Sequence, residues 1–270
     1  MGDAYNGGWT VNKPVIGVAA VVLVVGIGIA YYFHGRSNLP ASEPAPVPPP
    51  PSAGSEPAIE HPVPASAATQ STPLPALNDS DSAMKEAVSS LIGANAMQYV
   101  VPEDIVRHVV VTIDNLPRQK APAAKRPTVA VPGAFLVNGD ELHATLDPKN
   151  FERYDPMVGV LRQLDMQRVA DTYFHFYPLF QSAYQNLGYP NGYFNDRLVQ
   201  VIDSLLATPQ PGGPIELTRP NVLYTFADPN LEALPAGQKL LLRMGPDNAA
   251  VVRAKLKQLR SIITAAPPKH

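Results

Sequence analysis

The sequence predicts a mainly α protein with minor β content (α+β), built as a transmembrane helix, a proline-rich linker and one globular domain. Three observations support this prediction: an apolar run near the amino terminus, a high density of prolines after it, and apolar residues at helical spacing in the remaining chain. The predicted segments are a short tail (1–14), a transmembrane helix (15–33), a flexible linker (34–77), a helical domain with short hairpins (78–266) and a disordered tail (267–270).

Composition excludes several classes of function. The chain has 270 residues, a formal net charge of −2 and no cysteine. A nucleic-acid binder needs a basic field to neutralise phosphates, so we expect no nucleic-acid partner. Without cysteine, the chain has no disulfide, no thiolate nucleophile and no Cys-ligated metal.

The predicted transmembrane helix begins at Val15 and ends at Phe33, and its polar side chains are confined to Tyr31 and Tyr32. A helix of this length spans roughly 29 Å, about the thickness of the hydrocarbon core of a bilayer. A cleaved signal peptide has a shorter apolar core, about 7–15 residues, and a small-residue cleavage site that is missing after Phe33. A buried core helix would need apolar neighbours, which the flanking sequence lacks. The run therefore predicts an uncleaved span whose partner is the lipid bilayer.

The flanking charges Lys13 and Arg36 balance each other, so they do not set the direction in which the predicted span crosses the membrane. A short tail precedes the span and most of the chain follows it. This is the usual layout of a signal-anchor protein with an exported domain, so we expect the amino-terminal tail inside the cytoplasm and the domain outside it.

Prolines dominate the predicted linker, which contains no aromatic residue. Proline fixes φ and lacks a backbone N–H, so neither a helix nor a sheet continues through such a segment. The linker is expected to be a semi-rigid spacer of ~3.1 Å per residue, reaching on the order of 100 Å. The prolines at 48–51 also fit a ligand of a proline-binding module, an alternative that an exported location disfavours.

Helix starts and short hairpins are predicted in the first half of the domain. A helix is expected after residues 78–81, with Gly93 as its stop, and a second helix from Pro102, although its β-branched run also fits a strand. The predicted strands are 128–131, 135–137 and 141–145, around the turn Asn138-Gly139, and further helix starts are predicted at Asp147-Pro148 and Asp155-Pro156.

The strongest periodic pattern lies in residues 166–187. One stripe of the predicted helix contains Met166, Val169, Tyr173, Phe176, Tyr177, Phe180, Tyr184 and Leu187. We expect Pro178 to kink or relax this helix. Such a stripe is more often core than a groove for sugars or peptides, but buried tyrosine hydroxyls need partners. The candidate groove for a ligand or partner is therefore placed at Tyr184, Tyr189, Tyr193 and Phe194.

A second set of elements completes the predicted domain. We expect a helix over about 198–206, a strand pair at 215–217 and 222–226, a short helical turn after Asp228-Pro229 and an apolar segment at 238–244. Gly245-Pro246 begins a last helix whose predicted inward face is Ala249, Val252, Leu256, Leu259 and Ile263.

Catalytic motifs are missing from the sequence. No Walker loop, G-x-S-x-G or H-E-x-x-H occurs, and the S-x-x-K match of Ser82 and Lys85 lacks its companion S-D-N and K-T-G motifs. Asp171 and His175 could pair on a helix, but a solvated pair is the simpler interpretation. Candidates for an acid pair acting on glycans are Glu141, Glu152, Asp165, Asp203 and Glu216, and their spacing selects no two. We predict no catalytic, cofactor-binding or metal-binding residue.

Several short blocks follow one another in the domain: YPLFQ (177–181), LGYP (187–190), DP with LE (228–232) and QKLLLRMGP with Asn248 (238–248). Through them, the stretch from about 81 to 263 resembles an uncharacterised bacterial family of proteobacterial type, catalogued as a domain of unknown function. Its members typically carry one amino-terminal span and a proline-rich linker. The resemblance implies a single-pass protein of the bacterial inner membrane, with a cytoplasmic amino terminus and a periplasmic domain. It implies no activity, cofactor or catalytic residue.

The function predicted from the sequence is a non-enzymatic binding or interaction module of the cell envelope, with an envelope protein or a cell-wall fragment as its partner. Two alternatives stay open. One is a cell-wall hydrolase or transferase with an unrecognised carboxylate pair. The other is a TonB-like envelope scaffold or secretion-associated component. TonB proteins have a similar layout, but their carboxy-terminal domain is smaller and less helical than the one predicted here.

Overall fold

The computed structural model of the protein describes residues 58–64, 73–119, 125–140, 143–220 and 223–265. The predicted transmembrane helix (15–33), both predicted tails and most of the predicted linker lie outside these ranges. Within them, no helix combines the length and the apolar character needed to cross a membrane. The described part of the chain is mainly helical, with two small antiparallel hairpins, which agrees with the predicted α+β class.

Helices α1 (Asp81–Ile92) and α2 (Ile105–Asn115) begin the domain and confirm two predicted helices. The helix α1 ends where predicted, at Gly93, whose φ of 80° suits a residue without a side chain. The helix α2 begins later than the predicted Pro102, because Asp104 adopts a left-handed conformation with φ 49°. The carboxylate of Asp81 accepts the N–H groups of Asp104 and Ile105 at 2.8 and 3.0 Å, so α1 supplies the cap of α2.

The first hairpin pairs β1 (Val137–Asn138) with β2 (Thr145–Leu146) and leads into α3 (Lys149–Glu152), α4 (Asp155–Gln163) and α5 (Met166–Asn186). The side chains of Asp147 and Asp165 accept the N–H groups of Lys149 and Gln167, both at 2.8 Å, which fixes the starts of α3 and α5. The helix α5 continues through Pro178, whose ring lies on the exposed side.

The second half begins with α6 (Phe194–Leu206) and the hairpin of β3 (Leu217–Thr218) and β4 (Thr225–Phe226). It continues with α7 (Pro229–Glu232), α8 (Ala236–Arg243) and α9 (Pro246–Ile263). The two hairpins lie side by side, because Leu146 donates its N–H to Ile215 at 2.9 Å and Leu217 donates to Ala144 at 2.8 Å. The spatial order is therefore β1, β2, β3, β4.

The strands are shorter than predicted. The predicted strand 128–131 contributes one isolated bridge, between Thr128 and Val100, and the other predicted strands reduce to the two-residue pairs above. Pro127 and Pro132 bracket the first of these stretches, and proline has no N–H to donate to a ladder. Residues 141–142 and 221–222 lie outside the described residues.

Both hairpins and the helices after them follow one plan. The elements β1, β2, α3 and α5 begin at 137, 145, 149 and 166, and their counterparts β3, β4, α7 and α9 begin 80 residues later, at 217, 225, 229 and 246. We call residues 137–186 the first unit and residues 217–263 the second unit. A helix precedes each unit, α2 or α6, and packs against the last helix of that unit, α5 or α9. The sequence-based prediction missed this repetition.

One main apolar core joins the two units, and a smaller one lies under the hairpins. On α5, the predicted stripe is buried from Met166 to Tyr184, whereas Leu187 is 39 % exposed. The prediction was wrong for Leu187, which follows the last helical residue, Asn186, as the cap of α5. The predicted inward face of α9 is confirmed, since Ala249, Val252, Leu256, Leu259 and Ile263 are all buried.

Two stretches of the predicted flexible linker, residues 58–64 and 73–77, pack on the domain. The side chains of Val63, Leu74 and Leu77 lie against the main core, and Leu77–Asp79 forms a single turn of 3₁₀ helix. Apolar side chains between the prolines give these stretches something to bury. The packed chain therefore starts ahead of the predicted domain start at residue 78.

Candidate peptide-binding site

The four aromatic residues predicted as a groove come together where α5 connects to α6. The ring of Tyr184 stacks on Tyr189 with centroids 4.7 Å apart and lies 5.6 Å from the ring of Phe194. Phe194 is fully buried and Tyr184 nearly so, and burial raises the pKa of Tyr184 to about 12. Tyr189 and Tyr193 are half-buried, so they are the members of this set that present atoms at the surface.

Gln181 of α5 holds the connection in place. Its side chain donates to the carbonyl of Gly192 at 2.7 Å and accepts the N–H of Phe194 at 2.8 Å and the hydroxyl of Tyr177 at 2.9 Å. A Cβ at Gly192 would lie 2.7 Å from a ring carbon of Tyr184, so this close approach requires glycine. The start of α6 is thereby fixed against α5.

A buried carboxylate fixes the same connection from the other side. Asp114 of α2 forms ion pairs with Arg118 at 2.7 Å and with Arg197 of α6 at 3.0 Å. The hydroxyl of Tyr189 donates to Asp114 at 3.3 Å and accepts from Arg118 at 3.1 Å. Burial is the largest single influence and lowers the pKa of the Arg118 guanidinium, but the charge and hydrogen bond of Asp114 together with Tyr189 outweigh it, so the pKa is raised. This cluster ties α2, the connection and α6 together, which positions the first turn of α6.

Residues 58–64, which we call the strap, are bound by that first turn through main-chain groups. The carboxylate of Asp196 accepts the N–H of Glu60 at 3.1 Å and the N–H of His61 at 2.7 Å. The hydroxyl of Tyr193 accepts the N–H of Val63 at 2.9 Å, and the amide of Asn195 donates to the carbonyl of His61 at 2.8 Å. Two successive N–H groups at a bend form a concave site for an anion, and Asp196 supplies that anion.

Asn195 connects the strap to the core. Its side chain is fully buried, donates to the carbonyl of Ile263 at the end of α9 at 3.2 Å and accepts the hydroxyl of Tyr173 at 3.0 Å. Burial raises the pKa of Tyr173 well above its ordinary value, so the phenol stays protonated and remains a donor. The orientation of the Asn195 amide is therefore set before the strap binds, which lowers the entropic cost of binding.

The hydrogen bonds at this site are made to the peptide backbone of the strap. Each of the four hydrogen bonds uses an N–H or C=O of the strap, and Pro62 has no N–H that would need a partner. Of the strap's apolar side chains, Val63 packs against the main core, while Ile59 is 53 % exposed. The site therefore fits a short proline-containing segment with one small apolar side chain.

The residues considered for catalysis or metal binding lie apart from this site. Ser82 and Lys85 are exposed on α1, and Asp171 accepts a hydrogen bond from Gln167 at 2.9 Å. Asp165 caps α5, and Asp203 pairs with Arg260. Glu141 lies outside the described residues. In the described ranges, no group of three or more His, Asp or Glu side chains converges on a point where a metal ion could bind.

Sequence reasoning found Tyr193 but missed Asn195, Asp196 and the strap. The available signal was an Asn-Asp pair directly after the aromatic Tyr193-Phe194, at the start of a predicted helix, together with one valine between prolines in the linker. Neither feature predicts contact with the other, because about 130 residues separate them in the chain.

The domain thus consists of two helical units, and residues 58–64 of the same chain are hydrogen-bonded to the start of α6. A family model described as Protein of unknown function (DUF3014) matches residues 105–260, and the chain belongs to this family. The match begins at the start of α2 and ends within α9, so it covers the first unit and the second unit up to residue 260. Comparison with curated proteins and with solved structures finds no match.

Proposed function

We propose that this chain is a membrane-anchored, non-enzymatic binding module of the bacterial cell envelope, and that its domain acts by holding a proline-containing peptide segment. The binding of the strap by Tyr193, Asn195 and Asp196 is the observation that carries this proposal. Because the site contacts main-chain groups, it favours an envelope protein over a cell-wall fragment as the partner.

In this proposal, residues 15–33 span the inner membrane, the amino terminus is cytoplasmic and the domain is periplasmic. The length and apolar character of the run support the span, and the long chain after it supports the orientation. The strap lies between the apolar run and the domain. The segment held by the site is therefore also the segment that would connect the domain to the membrane.

Two measurements test the anchoring. The full-length chain is expected to stay with membrane vesicles after a carbonate wash, and its release would contradict the span. A reporter fused after His270 is expected to be active when it requires export. Activity of a reporter that works only in the cytoplasm would contradict the orientation.

Binding is tested in the full chain with a protease site inserted between Pro64 and Pro73. After extraction in mild detergent and cleavage, we expect the fragment that ends in the strap to co-purify with the domain. Asp196→Asn removes one acceptor oxygen and the negative charge, and bonds to charged groups contribute about 1.5–3 kcal/mol, so release should be at least about tenfold faster.

Asp203→Asn is the matched control, because Asp203 lies on the same helix and pairs with Arg260 instead of the strap. Equal retention of the fragment by the Asp196→Asn and parent chains, or immediate loss from the parent chain, would contradict the proposed binding site.

A further inference from the structure

The strap matches its site incompletely in charge. Glu60 is exposed and donates its N–H to the carboxylate of Asp196, so the strap carries an acidic residue at the position that an acidic side chain binds. Arg197, the next residue, directs its guanidinium to the carboxylate and carbonyl of Asp114. Like charges at short range repel each other. We expect a segment with a neutral or basic residue in the place of Glu60 to match this site better in charge than the strap does.

The hydrogen bonds define the remaining features of a ligand. The N–H groups at strap positions 60, 61 and 63 are bound, and the proline at position 62 has no N–H to leave without a partner. Val63 is the strap side chain that packs against the main core. A fitting segment is therefore a basic or neutral residue, a residue with a free N–H, a proline and a small apolar residue.

We infer that the strap is an intramolecular occupant of this site, which a proline-containing segment of a partner protein with a neutral or basic first position displaces. This inference rests on the proposed peptide-binding function. A second copy of the chain is disfavoured as the partner, because it would present the same Glu60 to Asp196.

Displacement changes the length of chain between the proposed membrane span and the domain. With the strap bound, residues 34–57 lie between them, and release adds residues 58–72. About 15 further residues reach up to roughly 50 Å when extended at ~3.1 Å per residue. Partner binding would therefore extend the distance over which the domain can reach from the membrane.

The strap competes with any partner at high effective concentration, in the millimolar range for a short connection. A free peptide with the sequence of residues 58–64 should therefore displace the strap only at millimolar concentration. The same peptide with Glu60→Lys should act at an about two- to fivefold lower concentration, the range that a charge pair at an exposed position provides. A peptide with His61→Pro loses one N–H that binds Asp196 and should fail.

The test uses the full chain in detergent, with spin labels at Ile59→Cys and Gln200→Cys. The chain has no native cysteine, and both positions are exposed, on the strap and on α6. Without peptide, we expect one narrow distance distribution, which Asp196→Asn broadens. Titration with the three peptides should broaden it in the order Glu60→Lys, parent sequence, His61→Pro.

Each outcome is decisive. A narrow distribution that no peptide broadens, or that all three broaden equally, overturns the inference and leaves the proposed binding of the strap intact. A broad distribution without peptide, unchanged by Asp196→Asn, overturns both. Broadening that depends on the concentration of unlabelled chain assigns the site to a second copy and also overturns the inference.

Discussion

The two units share one order of elements, but the matched elements differ in how much of their surface is buried. The helix α4 of the first unit has buried and exposed sides, whereas every residue of its counterpart α8 is buried, including Lys239 and Arg243. The ammonium of Lys239 donates to the carbonyl and the carboxylate of Glu232, both at 2.9 Å, and the Arg243 guanidinium lies 5.1 Å from the ring centre of Phe226. Burial of these charges is tolerated because both have partners within the second unit.

Their long helices differ in chemistry. At matched positions, α5 has Phe176 where α9 has Leu256, and α5 has Tyr173 where α9 has Arg253. The rings of α5 pack against the connection that positions Tyr193 and Asn195, whereas α9 contributes the carbonyl of Ile263 to the same site. The two units thus repeat one order of elements but carry different side chains at matched positions. The first unit packs aromatic rings against the residues that bind the strap, and the second unit contributes a backbone carbonyl.

The largest expected effect tests whether the two units unfold together. Leu161 and Leu241 occupy matched positions and are 0 % and 3 % exposed. Leu161→Ala and Leu241→Ala should each lower the free energy of unfolding by about 2–5 kcal/mol, because each leaves a cavity in the shared core. Urea unfolding followed by circular dichroism should give one transition for both variants. Two separate transitions would show that the units are independent.

The residues at the amino-terminal caps of the long helices give the next prediction. The cap of α5 is Asp165, and the matched cap of α9 is Gly245, with φ 83° and ψ 163°. A Cβ at Gly245 would lie 2.5 Å from the ring of Phe151. Gly245→Ala should therefore cost about 2–4 kcal/mol, against about 1 kcal/mol for Asp165→Ala. Equal losses in thermal unfolding would contradict this difference between the units.

Two matched asparagines provide a smaller test. The side chain of Asn150 is buried, accepts the N–H of Leu136 at 2.9 Å and donates to its carbonyl at 2.7 Å, whereas Asn230 is exposed. Asn150→Ala should cost about 1–3 kcal/mol, because it leaves buried polar groups of the backbone without partners. Asn230→Ala serves as the control and should stay within about 0.5 kcal/mol of the parent in chemical denaturation.

Histidine titration should destabilise the domain through its first half. Burial lowers the pKa of His108 on α2 and of His175 on α5, and the second unit contains no histidine. The unfolded chain then binds more protons than the folded chain as the pH falls below about 6.5, so stability falls with pH. Each histidine contributes a slope of at most about 1.4 kcal/mol per pH unit. Unfolding of His108→Gln/His175→Gln between pH 7.5 and 5 should show a flatter slope; an unchanged slope would contradict this assignment.

Local patterns predicted the helices and turns well. The stripe on α5 follows from its spacing, and Gly93 and Gly245-Pro246 mark helix ends because their backbone chemistry is local. The four aromatic residues of the predicted groove were found together for the same reason, since a short connection joins α5 to α6. Whether they bind a ligand remains a prediction.

Long-range features could not be predicted from such patterns. The sequence predicted an apolar segment at 238–244, but the burial of its basic residues Lys239 and Arg243 depends on Glu232 and Phe226, which the spacing of α8 itself does not reveal. The contact of the strap with Asp196 uses backbone groups, which every residue other than proline carries, so no side-chain pattern marks it. The repetition of the units is hidden because their matched positions share burial more than identity.

Asn195 bonds both to the strap and to the last turn of α9, and this has a mechanical consequence. If the amino-terminal run is anchored as proposed, tension on the chain ahead of residue 58 reaches the strap before it reaches the helices. A few hydrogen bonds at the surface then yield at lower force than the packed interior. The strap would then detach reversibly and take up the first part of the extension before the helices bear the force.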